Sequence, residues 1–272
     1  MNHFLHPVQG EIWCLHRVVT FRSEFQSNRD LEITPEWLEN AILDSIKRGY
    51  KFVSIDGIVD EISCKSWDLR KKKRINISFD DGFRDVYENA FPIFKRYHIP
   101  FTIYLSSLFP MGLCDLWWIQ LEHFVQNDAD KFESIMKSLY QSKDNMRDAM
   151  HTMTNTQPDY SICRDLALSW EQLREMVSSG LCTVGAHTMS HPSLLRISEQ
   201  EAETELLESK KMIESQLGVE VRHLSYPHSM TSESIQYLVK KTGYKSATLG
   251  YGGTIRKGNN VFLLNRRYIT QP

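Results

Sequence analysis

An α/β fold with a mostly parallel sheet is what this chain predicts, and with about seven strands such a sheet could curl into a barrel. Three observations lead there. Strand-like and helix-like segments alternate along most of the chain. Two groups of chemically capable side chains, Asp80-Asp81 and His187 with His191, each fall at the C-terminal end of a strand-like run. That edge is where α/β folds build their sites. The length of 272 residues suits one large α/β domain with a modest insertion.

The elements follow in order. Glu11 to Thr20 reads as a first strand, carrying His16. Thr34-Pro35-Glu36 opens a helix, with Thr as cap and Pro in the first turn. Leu38, Ala41, Ile42, Ser45 and Ile46 would form its inner face, and Gly49 ends it. Residues 52–55 read as a short strand, and Ile75-Asn76-Ile77-Ser78-Phe79 alternates apolar and polar as a strand does. A helix over 85–97 contains Pro92, and Phe101 to Leu105 is the next strand. The rhythm breaks over about 107–168, which reads as a partly helical insertion holding Trp117-Trp118. Ser169-Trp170-Glu171-Gln172 and Ser198-Glu199-Gln200-Glu201 have the form of capping boxes, opening helices that stop at Gly180 and Gly218. Residues 181–186, 221–226, 245–249 and 261–269 read as strands, with a helix over 232–241.

Composition excludes several classes. With 41% hydrophobic and 24% charged residues, it is ordinary for a globular protein. The net charge of −2 and the single basic run Lys71-Lys72-Lys73-Arg74, read as a solvated loop, give no expectation of nucleic acid binding. No apolar stretch approaches the ~20 residues of a membrane span. Met1 to Pro7 lacks the pattern of a secretory leader. Cys14, Cys64, Cys114, Cys163 and Cys182 are odd in number and scattered. The expectation is a cytoplasmic protein with reduced cysteines.

The chemistry lies in the two polar groups. One carboxylate oxygen and two imidazoles form a ligand set for a catalytic Zn²⁺ with a position open for water. A second carboxylate is then free to act as base. Asp-Asp-Gly after a strand is also ordinary turn chemistry, and His-x-x-x-His alone is a weak motif. Their placement at strand ends favours metal-assisted hydrolysis.

Ser78-Phe79-Asp80-Asp81-Gly82 resembles the Thr-Phe-Asp-Asp-Gly motif of the polysaccharide deacetylases, the NodB-homology domains of carbohydrate esterase family 4. His187-Thr188-Met189-Ser190-His191 matches their His-Ser/Thr-x-x-His motif. Tyr226-Pro227 resembles part of a third motif, and Cys14 to Val18 an early His-containing strand. The resemblance implies a distorted (β/α)7-type barrel and a divalent metal, usually zinc, sometimes cobalt or nickel. It implies removal of an acetyl group from a carbohydrate, with Asp81, His187 and His191 as ligands and Asp80 as base. The backbone N–H of Tyr226 would help hold the oxyanion. An intracellular member would act on a precursor of a polysaccharide or glycoconjugate.

Two departures stand out. The last strand, Val261 to Tyr268, has no histidine where the family carries its acid in Leu-x-His. His16 is then the first candidate for the acid and His228 the second, His228 being equally a substrate contact. Position 223 is His where the family has an arginine that orients the base, and Arg222 is one residue out of register, which on a strand reverses the face. Arg266 or Arg267 could supply that cation. Trp117 and Trp118 could stack on sugar rings or pack the insertion; His98 and His123 read as structural or surface residues. Two other functions stay open: a non-catalytic sugar-binding or scaffolding protein, and a metal-independent C–N hydrolase of small cyclic amides.

Overall fold

The computed structural model describes residues 10–63, 73–126 and 128–272. Met1 to Pro7, Cys64 and Lys71-Lys72 of the sequence reading lie outside the described residues.

Seven parallel strands close on themselves. They are β1 (Gly10–Leu15), β2 (Arg74–Asp81), β3 (Phe101–Leu105), β4 (Cys182–Ala186), β5 (His223–Ser225), β6 (Ser246–Gly252) and β7 (Leu264–Tyr268). Each pairs with the next in this order. β1 pairs with both β2 and β7, which shuts the barrel. The short strand Lys51–Phe52 flanks β2 in parallel, and Thr254–Ile255 flanks β1 antiparallel. The predicted (β/α)7-type barrel is the observed one.

All eight residues of β2 are buried. Its alternation has a specific meaning here. Ile75, Ile77 and Phe79 join the apolar layer with Phe91, Phe94 and Ile103. Asn76, Ser78 and Asp80 take the other face, and there Ser78 and Asp80 both meet Arg266 of β7. The lumen is therefore polar in its upper half, and the main core lies between strands and helices.

Besides a single turn at Gln26–Arg29, the helices are α1 (Pro35–Lys47), α2 (Ile55–Ser63), α3 (Phe91–Tyr97), α4 (Trp117–Val125), α5 (Ala129–Gln141), α6 (Met146–Thr154), α7 (Tyr160–Leu166), α8 (Trp170–Ser178), α9 (Glu199–Leu217) and α10 (Glu233–Lys241). Thr34 caps α1, and both predicted capping boxes form, at Ser169 and Ser198. Among the described residues no helix is long and apolar enough to cross a membrane.

The structure corrects four local readings. The strand over 11–20 is broken: β1 ends at Leu15, His16 stands in the gap, and Arg17–Val18 pairs with Glu32–Ile33 in a separate two-stranded sheet. The strand at 52–55 is only Lys51–Phe52, because Ile55 starts α2. Ile55, Ile58 and Ile62 of α2 pack with Ile12, Ile255 and Leu264 and cover the N-terminal end of the barrel. Ile46 of α1 is exposed rather than inward. The segment 85–97 opens with a π-helical stretch, Val86–Ala90, before α3, so Pro92 falls in the first turn of α3 rather than inside a helix. Over 107–168 the chain is mostly helical, forming α4 to α7, and its end is pinned to the Asp-Asp-Gly turn by Arg84 N–H to Leu166 O and Leu168 N–H to Gly82 O.

Candidate active site

The chemical groups gather at the C-terminal mouth of the barrel. Asp80 and Asp81 end β2, and their side chains diverge. Asp81 already has φ 73° and Gly82 has φ 118°, so the chain turns sharply there. A Cβ at position 82 would come 2.5 Å from Leu105 Cδ1, which is why the turn requires glycine.

Asp81 faces the two histidines. Its Oδ1 lies 3.6 Å from His187 Nε2 and 3.3 Å from His191 Nε2. His187 Nδ1 is 2.8 Å from the Ser225 carbonyl, which makes Nδ1 the donor and leaves the Nε2 lone pair toward Asp81. Burial pushes the pKa of both histidines down; the nearby His228 and His187 add to this at His191, while Asp80 opposes it at His187. Both imidazoles are thus neutral, the form that ligates metals. Burial and then the Asp80 charge push the Asp81 carboxyl well above the usual range, and Asp81 Oδ1 is buried with no hydrogen-bond partner. Three lone-pair donors converging at the mouth fit a divalent cation, whose charge would reverse the penalty on Asp81. The donor set of one oxygen and two nitrogens suits zinc, with cobalt or nickel also compatible.

Asp80 faces Arg266. Arg266 Nη1 donates to Oδ1 at 2.7 Å and Nη2 to Oδ2 at 2.5 Å, a two-pronged pairing. Arg266 also bonds Ser78, Ser225 and the Leu249 carbonyl, and it is 1% exposed. Burial alone would raise the Asp80 carboxyl; Arg266, and after it His187, hold it well below the usual carboxylate range. Asp80 is therefore ionised and fixed in orientation.

The sequence left open which arginine supplies this cation. It is Arg266. Arg267 is on the opposite face of β7, pairs with Glu11 at 3.1 Å and lines a separate cleft with Trp13 and Trp37, so strand parity takes it away from Asp80. Arg222 and His223 both meet Asp56 of α2, at 3.0 and 2.9 Å, away from the mouth.

His16, Cys14 and Asp80 have donor atoms within 4.8 Å of one another. This is a poor cation site, since both Asp80 oxygens are held by Arg266 and burial keeps the Cys14 thiol protonated. His16 Nδ1 is buried without a partner, and burial brings the His16 pKa down to about 4. Tyr226 follows β5, but its N–H donates to Thr248 O at 3.1 Å in the ladder to β6, so that donor is already committed.

A cavity of about 630 Å³ opens over these groups. Trp117 and Trp118 are buried in its wall, with Trp118 5.2 Å from the His191 ring. His228, at φ 56°, lies 4.8 Å from His191 and 6.3 Å from Trp117, and burial takes its pKa to about 3. The exposed aromatic residues of the cavity are Tyr140, Tyr251 and Tyr268, which the sequence reading did not single out. Tyr268 was findable, sharing a strand face with Arg266; Tyr140 carried no local signal. No Lys or Arg is among the described residues lining this cavity. His98 and His123 are exposed and elsewhere.

Comparison with known proteins agrees with this geometry. The family model for polysaccharide deacetylases matches residues 68–247. YxkH of Bacillus subtilis (strain 168), whose own assignment as a polysaccharide deacetylase is provisional, is 23% identical over 195 residues, covering 72% of this chain and 51% of that protein. The chain thus spans about half the length of this curated relative. The deacetylase PplD of Streptococcus pyogenes, solved in complex with acetate, has a similar fold, with a TM-score of 0.70, 21% identity, and 96% of this chain and 92% of that one covered. IcaB from Ammonifex degensii gives a TM-score of 0.70 at 19% identity, with 97% and 93% covered. The chain belongs to the polysaccharide deacetylase family.

Proposed function

We propose that this member of the family is a metal-dependent hydrolase that removes an acetyl group from an N-acetylated sugar of a polysaccharide or glycoconjugate precursor. The observation behind the proposal is the pairing of two unlike carboxylates: Asp81 aimed at two neutral imidazoles, and Asp80 locked by Arg266 beside them. Asp81, His187 and His191 would hold the ion, and residues 1–272 would work as one unit with 107–168 as an insertion.

A divalent ion held there would polarise the acyl carbonyl and acidify a water. The protein's side chains supply the rest. Asp80, ionised and oriented by Arg266 and Ser225, accepts a proton from the attacking water. His16 stands beside Asp80 as the imidazole to pass a proton to the leaving nitrogen. With a pKa of about 4 it is neutral at rest, so it would have to take up a proton during turnover before acting as the acid. Oxyanion stabilisation by the Tyr226 N–H would require its bond to Thr248 to open, and a bound ion would otherwise supply it. The tyrosines at the cavity offer flat faces to sugar rings.

The test is acetate release from N-acetylglucosamine oligomers by the metal-loaded protein, alongside Asp80→Asn. Turnover lost in Asp80→Asn with the metal retained supports the reading. Equal turnover in both, or none in the metal-loaded wild type across acetylated sugars, overturns it.

A further inference from the structure

His191 is held less directly than His187. The His187 ring is fixed through Nδ1 by Ser225, whereas His191 Nδ1 is buried with no hydrogen-bond partner. The position of the His191 imidazole therefore depends on its backbone and on ring packing against Trp118 and His228. That backbone is strained: Thr188 has φ 65° and His191 φ 63°. For non-glycine residues such conformations cost about 1–3 kcal/mol each and persist only where neighbours enforce them.

The enforcement comes from two sides. After β3, Ser107 N–H donates to Thr188 O at 3.1 Å and Leu108 N–H to Met189 O at 3.0 Å. From α9, Ser209 donates to Thr188 O at 2.8 Å. Glu205 of α9 accepts three bonds from the centre of the turn: Met189 N–H at 2.7 Å, Ser190 N–H at 2.9 Å and Ser190 Oγ–H at 2.6 Å. Glu205 and Ser209 are four apart and so share a helix face with buried Ala202 and Leu206. A glutamate on the buried stripe of an amphipathic helix needs such donors.

We propose that Glu205 is a positioning residue for the metal site, gathering the Met189–Ser190 turn so that His191 Nε2 meets Asp81, and thereby setting affinity for the ion. This rests on the metal reading of Asp81, His187 and His191. The role belongs to its hydrogen bonds rather than its charge. In Glu205→Gln the amide oxygen can accept both N–H groups and the amide NH₂ can donate to Ser190 Oγ, so the turn keeps its shape.

The experiment is a Zn²⁺ competition titration of the full chain against a chromogenic chelator, with melting midpoints of the metal-free proteins alongside. Glu205→Ala should weaken zinc binding about tenfold or more, the lower end of what outer partners of ligands contribute. Glu205→Gln should stay within about threefold of wild type on the same scale. Saturating zinc should restore kcat to Glu205→Ala, which a general loss of structure would not allow. If Glu205→Ala does not fold, Glu205→Asp, one methylene too short to hold all three donors, should show an intermediate loss. Wild-type affinity in Glu205→Ala, or in Glu205→Asp where the alanine variant does not fold, overturns the inference. Equal weakening in the Gln and Ala variants also overturns it, by making charge the cause. A wild type that binds no zinc overturns the metal reading itself, and this inference with it.

Discussion

The two ends of the barrel each bring a buried histidine to an aspartate, and they do so in opposite ways. At the N-terminal end, His223 Nε2 is 2.9 Å from Asp56 and its Nδ1 is 2.8 Å from Ser246 Oγ, so both ring nitrogens have partners. At the mouth, two imidazoles face Asp81 at 3.3 and 3.6 Å, and the carboxylate oxygen they face has no hydrogen bond. Polar groups buried for stability are satisfied, because an orphaned one costs about 1–3 kcal/mol. The orphaned oxygen of Asp81, facing two imidazoles, would be satisfied by a bound cation. The N-terminal end is accordingly closed by α2 and its isoleucines, while the mouth opens into a cavity.

The contrast can be broken first at the mouth. Asp80→Asn should lower kcat by about 10²–10⁴-fold, the scale of general-base catalysis, while zinc stoichiometry stays at the wild-type value. Loss of zinc in this variant would show that the two carboxylates do not divide their roles as described.

Arg266→Gln comes next. It leaves the Asp80 charge buried and uncompensated, at a cost of about 3–5 kcal/mol of stability by denaturant unfolding. Without Arg266 the burial of Asp80 loses its main opposing charge, so its pKa rises and the acid limb of the kcat–pH profile moves to higher pH. An unmoved acid limb would mean that Asp80 is not the titrating base.

The N-terminal end should respond in the other currency. Asp56→Asn should reduce stability by about 1–3 kcal/mol and leave zinc affinity and kcat unchanged. The hydrogen bond from His223 holds the Asp56 carboxyl below its ordinary value, with burial opposing. Its contribution is therefore present above about pH 4 and lost as pH falls through the lowered value, so the variant's stability should fall less steeply in acid. A changed zinc affinity would couple the two ends and weaken the comparison.

Tyr140→Ala and Tyr251→Ala carry the smallest effects. Loss of one aromatic contact is worth about 0.5–1.5 kcal/mol, so KM for an acetylated oligosaccharide should rise about 2- to 10-fold with kcat nearly constant. A fall in kcat with KM fixed would place these rings in the chemistry instead.

The gathering of polar side chains at the mouth was largely legible from the chain, because it is local. Asp80, Asp81 and Gly82 are consecutive, His187 and His191 are four residues apart, and each group follows a recognisable strand. What escaped depends on pairing between distant strands. Arg266 and Arg267 are equivalent in the sequence until the closure of β7 against β1 fixes which faces the lumen. The committed N–H of Tyr226 likewise depends on its neighbour β6. Helix α2 was missed for a different reason: Phe52-Val53-Ser54-Ile55 reads as a strand, yet Ile55, Ile58 and Ile62 already had helical spacing. Glu205 had a local signal too, being the carboxylate on the inner stripe of α9, whereas the cavity wall over 107–168 is assembled from helices whose mutual packing no local pattern specifies.

The most direct measurement is the metal content of the purified protein by elemental mass spectrometry, for wild type, Asp80→Asn and His191→Ala. The account predicts about one divalent ion per chain in wild type and Asp80→Asn, and little or none in His191→Ala. Equal metal in all three, or none in the wild type after reconstitution with zinc, would contradict it.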